Sequence, residues 1–223
     1  MTPGDVAATA RAHAESVLRA NARLVVFPEL SLTGYELDAP AVALDDPALA
    51  PLIAACGQAG TLALAGAPVE EDGARSIATL WIDGDGARIA YRKSFLGGEE
   101  VGRFAPGPGA TALDVDGWRV GVGICKDTGV VEHVRDTAAL GIDLYVAGIV
   151  HLPEELEEQE RRARTIAAAC GAPVALASFA GATGHGYDET AAESAVWSSD
   201  GVALARAGDQ PGGLAVTRLT ASS

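Results

Sequence analysis

The chain has 223 residues, 48% hydrophobic and 21% charged, which is typical of a folded globular protein and predicts a single domain over residues 1–223. Its formal net charge of −14 argues against binding to nucleic acid or to anionic membranes, because both attract basic surfaces. No stretch approaches the roughly 20 apolar residues of a membrane span, and the N-terminus lacks a signal-peptide pattern, so we expect a cytoplasmic protein.

Cysteine and histidine usage argues against a disulfide framework and against a metal site. The three cysteines, Cys56, Cys125 and Cys170, are widely spaced and form no CxxC pair. The four histidines are scattered and form no HExxH motif. The sequence therefore predicts no metal and no cofactor.

In the first half of the chain, apolar periodicity predicts helices and strands in alternation. A helix is expected over residues 5–22, where Asp5 can cap its start, and a second over 46–60, ending at Gly57 or Gly60. Buried strands are expected over 24–27 and 61–69, and a hairpin over 76–94.

The second half of the chain continues the alternation. Helices are predicted over 130–141 and 153–171, and strands or hairpins over 117–125, 142–150, 173–181, 194–208 and 212–219. This order indicates one α/β domain. Such a domain normally opens with a strand, and no strand is predicted before the first helix.

Three reactive side chains each follow the end of a predicted strand. Glu29 comes after "LVVFP", Lys93 comes after "ARIAYR", and Cys125 comes at the end of "VGVGI". In α/β sheets, ligand sites gather beyond the carboxyl ends of strands, so these side chains are expected to meet. Each of them also has a structural explanation: the cysteine as a small buried residue, the lysine as a solvated charge and the glutamate as a turn cap.

Together the three side chains have the chemistry that acyl transfer needs. A neighbouring lysine lowers the pKa of a thiol, and a carboxylate can take the thiol proton. The same lysine can stabilise the oxyanion of a tetrahedral intermediate. A nucleophile, a base and an oxyanion-stabilising cation are thus available without histidine or metal.

The segments "LVVFPELSLTGY", "YRKSFL" and "VGVGICKD" resemble, in order, the three signature blocks of the nitrilase superfamily of carbon–nitrogen hydrolases. The likeness continues through "RFAPG" and "SAVWSSDG" and covers the chain from residue 5 onward. It implies an α/β fold, a four-layer α-β-β-α sandwich of nitrilase type, here lacking the usual first strand. It also implies a triad of Cys125 as nucleophile, Glu29 as general base and Lys93 facing the intermediate.

The resemblance further implies an acid that positions the lysine, and Glu100 matches it better than Glu99. It places the backbone N–H of Lys126 in the oxyanion hole. Three residues are expected to bind substrate: Lys126, Phe95 and Glu132. Phe95 stands where the family usually has histidine, and Lys126 where an aromatic residue is common. The Lys126 side chain is expected either to favour an anionic substrate or to point away toward Asp127.

The function expected from this resemblance is a thiol hydrolase that cleaves the carbon–nitrogen bond of a small amide or carbamoyl compound through a thioester. The alternatives are a nitrilase acting on a nitrile and a non-catalytic scaffold or regulatory protein that keeps the fold. The expected partners are the small substrate, water and a second copy of the chain in a homodimer or larger homo-oligomer.

Overall fold

A computed structural model, which describes residues 4–220, contains two β-sheets. The first sheet has four strands in chain order: β1 (Leu24–Val26), β2 (Leu62–Glu71), β3 (Ala74–Asp83) and β4 (Gly86–Arg92). β1 and β2 are parallel, and the other pairs are antiparallel. β1 therefore forms one edge of this sheet.

The second sheet has six strands in the spatial order β10-β9-β8-β7-β6-β5. Their bounds are β5 (Thr111–Val115), β6 (Trp118–Ile124), β7 (Leu144–Ile149), β8 (Val174–Ser178), β9 (Ala195–Trp197) and β10 (Ala203–Arg206). The central strands β6, β7 and β8 are parallel, and the outer pairs are antiparallel. The carboxyl ends of the three parallel strands therefore share one edge of the sheet.

Four α-helices accompany the sheets over the described residues: α1 (Val6–Ala20), α2 (Ala50–Ala59), α3 (Val131–Ala139) and α4 (Leu156–Cys170). Their ends follow local chemistry. The Asp5 side chain accepts a hydrogen bond from the Ala8 N–H (2.9 Å) at the start of α1, as predicted. Gly60 and Gly171 end α2 and α4 in the left-handed conformation. None of the described helices is long and apolar enough to cross a bilayer.

Alternation of side chains along the strands builds four layers. In β2, Ala63 and Ala65 pack with α1 and α2 on one face, while Leu62 and Leu64 pack against the second sheet. The side chains of β7 alternate in the same way. One set packs in the layer between the two sheets, and the other packs with α3 and α4. The predicted α-β-β-α sandwich is confirmed.

Two elements differ from the sequence prediction. The structure has a strand, β5, that we did not predict, because its five residues "TALDV" are mostly half-exposed and show no clear apolar run. The strand predicted over 212–219 is wrong, since the structure assigns no strand there. An apolar sequence pattern alone does not form a strand without a neighbouring strand to pair with.

Candidate active site

Glu29 lies in a tight turn that follows β1 and is held between the two sheets. Leu30, the next residue, has a positive φ of 51°. A Cβ at Gly66 of β2 would clash with the backbone of Leu30, and one at Gly148 of β7 would lie 2.7 Å from the Glu29 nitrogen. Both sheets thus approach this turn closely enough to require glycine, and together they fix the Glu29 backbone.

Lys93 follows β4 and joins two buried carboxylates. Its Nζ donates to Glu29 Oε1 (2.6 Å) and to Glu100 Oε1 (2.5 Å). All three side chains are at most 2% exposed. A buried lysine without partners would be very costly, so these paired acids are what allow the cation to lie here.

Glu100 is itself held by further hydrogen bonds. Its Oε1 also accepts from the Tyr35 hydroxyl (2.8 Å), and its Oε2 accepts from the Gly97 N–H (2.7 Å). Glu99, the weaker candidate, is exposed and pairs with Arg103. Sequence reasoning missed Tyr35, although it closes the first signature block. No spacing rule links it to an acid 65 residues away.

Cys125 directly follows β6, the third strand that leads to the cluster. It has a positive φ of 40°, which is strained for a residue with a Cβ. Its thiol is half-buried and donates to the Val150 carbonyl (3.4 Å). It lies close enough to Glu29 for each group to affect the pKa of the other. Such a turn presents a side chain beyond the strand end, toward Glu29 and Lys93.

Burial sets the protonation states of the cluster. Burial raises the pKa of Glu29 to about 7, against the opposing charge of Lys93. Burial alone would lower the pKa of Lys93, but the neighbouring charges, Glu29 first, hold it above its usual value, so the lysine is a cation. Burial, and then the charge of Glu29, raise the pKa of Cys125 to about 12.

Lys93 therefore has the expected direction of effect on the pKa of the thiol, but the effect is too small to bring that pKa below its usual value. Lys93 does lower the pKa of Cys125, yet burial and Glu29 outweigh it. The thiol is protonated at neutral pH and needs a base in order to react. The Glu29 Oε2 is buried and has no hydrogen-bond partner among residues 4–220.

A second buried network, centred on Asp127, joins the ends of β4 and β6. Asp127 is fully buried and accepts from the Phe95 N–H (2.9 Å), the Ile124 N–H (3.0 Å) and the Tyr91 hydroxyl (2.9 Å). That hydroxyl also contacts His133 Nε2 (2.9 Å). Asp127 thereby ties the segment after Lys93 to the residue before Cys125. Sequence reasoning did not assign it this role, because its partners come from distant segments.

The three residues expected to bind substrate occupy different places. Phe95 is half-buried, with its backbone held by Asp127. The Lys126 side chain is exposed and donates to the Leu96 carbonyl (2.6 Å), so Asp127 is not its partner. Glu132 is exposed on the first turn of α3 and forms no hydrogen bond or ion pair within residues 4–220. The structure thus brings together Glu29, Lys93, Glu100 and Cys125, and leaves Glu132 outside this buried cluster.

Known proteins with similar sequences include hydrolases of Pseudomonas. A hydrolase encoded in the pqqF 5′ region of Pseudomonas protegens is 35% identical over 152 residues, which is 64% of this chain and 53% of that protein. An (R)-stereoselective amidase of Pseudomonas sp. is 30% identical over 127 residues, 55% of this chain and 46% of that protein. The matched regions thus span about half the length of these relatives.

In the similar solved structures, the match covers a larger share of the other protein than it does in these two relatives. The amidase from Nesterenkonia sp. AN1 has a TM-score of 0.85 and 25% identity, with 97% of this chain and 89% of that chain covered. Nit3 of Saccharomyces cerevisiae, a nitrilase-superfamily member, has a TM-score of 0.81 at 21% identity, over 94% of this chain and 83% of that chain.

The family model for carbon–nitrogen hydrolases matches residues 2–223, which is nearly the entire chain. The resemblance to the nitrilase superfamily, stated above from three short segments, is thereby confirmed. The chain belongs to the carbon–nitrogen hydrolase family.

Proposed function

We propose that the protein hydrolyses the carbon–nitrogen bond of a small, non-peptide amide through a thioester on Cys125. The observation that carries this proposal is the buried cluster in which Lys93 bonds to both Glu29 and Glu100 beside the thiol. A scaffold protein would have no need to bury a lysine with two acids next to a cysteine at a strained φ. The amidases among the relatives and solved structures favour an amide over a nitrile.

The reaction begins at the thiol. Glu29 takes the Cys125 proton as Sγ attacks the amide carbon, and the carbonyl oxygen becomes an oxyanion. The Lys93 ammonium and the backbone N–H of Lys126 stabilise that charge. Glu29 then donates its proton to the leaving nitrogen, the carbon–nitrogen bond breaks, and ammonia or an amine leaves a thioester.

The second half of the reaction regenerates the enzyme. Glu29, now ionised, removes a proton from water as the water attacks the thioester carbon. The carbon–sulfur bond breaks, the acid product leaves, and the thiolate recovers the proton that Glu29 holds. Glu100 and Tyr35 act by position, since they keep Lys93 fixed at the oxyanion while Glu29 changes charge.

The pKa shifts fit these roles. A base with a pKa of about 7 accepts and returns protons near neutral pH more readily than an ordinary glutamate. A lysine held as a cation stabilises an oxyanion without losing its own proton.

The test is ammonia release from a panel of small aliphatic amides and the matching nitriles, with the wild-type chain and Cys125→Ala. We expect amide turnover by the wild type and none by Cys125→Ala. Labelling with iodoacetamide at neutral pH, read by intact mass, should modify Cys125. Cys56 and Cys170 are the internal controls, since burial raises the pKa of each to about 11 and neither contacts Lys93 or Glu29. Equal turnover by Cys125→Ala would overturn the mechanism.

A further inference from the structure

The carbonyl oxygen of Cys125 is held by a hydrogen bond from within its own turn, Cys125–Gly129. The Thr128 hydroxyl donates to that oxygen at 2.6 Å. Thr128 is 3% exposed, so little water competes for the bond. The bond bears on the reaction because the same peptide group carries the Lys126 N–H, the proposed backbone donor to the oxyanion.

The geometry of the peptide group links this bond to the oxyanion. A trans peptide group is planar, and its C=O and N–H point in opposite directions. Whatever fixes the direction of the Cys125 carbonyl therefore also fixes the direction of the Lys126 N–H. Such support is needed here, because Cys125 has a positive φ of 40° and a strained residue keeps its conformation only when its surroundings hold it.

Arg162 of α4 sets the direction of the Thr128 bond. Its Nη1 donates to Thr128 Oγ1 (3.4 Å), and its Nε donates to Glu158 Oε1 (2.7 Å). An arginine can only donate and a hydroxyl has one proton, so the Thr128 proton is directed to the Cys125 carbonyl. The guanidinium fits against the turn because residue 129 is glycine. A Cβ at Gly129 would lie 2.8 Å from the Arg162 Cζ.

Behind Arg162, a chain of hydrogen bonds runs to the loop after β8. Gln159 Nε2 donates to the carbonyls of Ala192 (3.2 Å) and Glu193 (3.3 Å), so its Oε1 is the atom that faces His151 Nδ1, at 3.3 Å. The His151 Nδ1 therefore donates, and its Nε2 is an acceptor 3.5 Å from Arg162 Nη1. Burial, and then the Arg162 charge, lower the pKa of His151, which keeps its ring neutral as this arrangement requires.

We propose that Thr128 and Arg162 are positioning residues that orient and polarise the peptide group between Cys125 and Lys126, so that the Lys126 N–H donates to the oxyanion. This rests on the proposed function, since it gives both residues a part in the same reaction. Hydrogen bonds in a chain strengthen one another, because a carbonyl that accepts a bond draws electron density from the N–H of its own peptide group. Both side chains act through the backbone, and neither is assigned a contact with substrate.

The first test compares Thr128→Val, which keeps the shape of the side chain without its hydroxyl, with Thr128→Ser, which keeps the hydroxyl. Loss of an oxyanion-hole donor lowers kcat by about 10²–10³-fold. Here the donor stays and loses only its support, so kcat for a small amide should fall by about tenfold in Thr128→Val, with little change in KM. Thr128→Ser should restore kcat to near the wild-type value. Thr165→Val is the matched control, because the exposed Thr165 hydroxyl also donates to a carbonyl, that of Arg161 (2.9 Å).

The second test asks whether Arg162 acts through Thr128. Arg162→Gln should lower kcat by about three- to tenfold in the wild-type chain. Added to Thr128→Val, it should lower kcat no further, because the hydroxyl through which it acts is already gone. Arg161→Gln is the matched control, since Arg161 donates to the same Glu158 carboxylate (2.7 Å) but forms no hydrogen bond with Thr128 within residues 4–220.

Two further measurements separate this role from a general structural one. Alkylation of Cys125 by iodoacetamide displaces iodide and forms no oxyanion, so it should proceed at the wild-type rate in Thr128→Val and in Arg162→Gln. The NMR shift of the Lys126 amide nitrogen reports on the peptide group without any turnover. It should move in these two variants and stay near the wild-type value in Thr128→Ser and in both controls.

Three results would overturn the proposal. The first is a wild-type kcat in Thr128→Val, and the second is an unchanged Lys126 amide shift in that variant. The third is a loss of turnover matched by an equal loss of alkylation, which would mean that the whole turn has moved. Should Thr128→Val not fold, Arg162→Gln measured against Arg161→Gln gives the same comparisons. Failure of the proposed function differs from all of these, because the wild-type chain would then release no ammonia from any amide.

Discussion

Replacing Glu29 by Gln removes the proposed base and leaves the shape of the side chain almost unchanged. With a pKa of about 12, the Cys125 thiol is ionised in about one molecule in 10⁵ at pH 7. Attack by the thiol therefore depends on proton transfer to Glu29. General-base catalysis contributes about 10²–10⁴-fold, or about 3–5 kcal/mol of the barrier. We expect kcat/KM of Glu29→Gln to fall by about that factor.

The pH profile gives a second, independent sign of the same role. Glu29 must be ionised to accept the thiol proton, and its pKa is about 7. Wild-type kcat/KM should therefore be low in acid, rise through about pH 7 and then level off. Glu29→Gln has no carboxylate to titrate and should lose this inflection.

Ammonia release measured from pH 5 to 9 on one amide provides the assay, with rates of iodoacetamide labelling of Cys125 alongside. Glu157→Gln is the matched control, because Glu157 is exposed on the first turn of α4. That variant should retain the wild-type profile. If a folded Glu29→Gln variant kept the wild-type rate and the same inflection, the base would have to be another group.

Three further changes test how the site is held in place. Tyr35→Phe removes one hydrogen bond to Glu100. A bond to a charged group contributes about 1.5–3 kcal/mol, so kcat should fall by about tenfold or more with little change in the substrate KM, as steady-state kinetics would show. Asp127→Ala removes the acceptor of the buried Ile124 N–H, the half-buried Phe95 N–H and the buried Tyr91 hydroxyl. It should lower the free energy of unfolding by about 2–6 kcal/mol in urea titrations, and an unchanged midpoint would contradict the network. Gly148→Ala places a Cβ 2.7 Å from the Glu29 nitrogen, so it should reduce both kcat and the melting temperature. A variant as active and as stable as the wild type would show that the turn is not tightly held.

The sequence predicted the elements whose signals are local. The helix after Asp5 and the strands before Glu29 and Cys125 follow from capping and from apolar runs that neighbouring residues reinforce. The same patterns placed Glu29, Lys93 and Cys125 at strand ends. That these ends meet came from the general geometry of α/β sheets and from the family resemblance.

Contacts between distant segments could not be predicted. Tyr35 reaches Glu100 across 65 residues, and Asp127 reaches Tyr91 across 36. Contacts over such separations produce no periodic pattern in the sequence from which they could be predicted. The strand predicted over 212–219 failed for a related reason, since its side chains suit a strand but pairing depends on what lies next to it. The balance of charges at Cys125 also depends on burial, which only the packed structure supplies.

The glycine contacts around Glu29 limit how this protein can change over evolution. Gly66 and Gly148 come from opposite sheets and both contact one short turn, so the spacing of the sheets sets the position of the Glu29 carboxylate. Substitutions that thicken the inner layer would move the carboxylate away from the thiol even when they lie far from any substrate. New substrate preferences are therefore expected to arise in the loops over residues 94–107 and 180–192, which can vary without altering the distance between the sheets. The interior is constrained by the chemistry as well as by the fold.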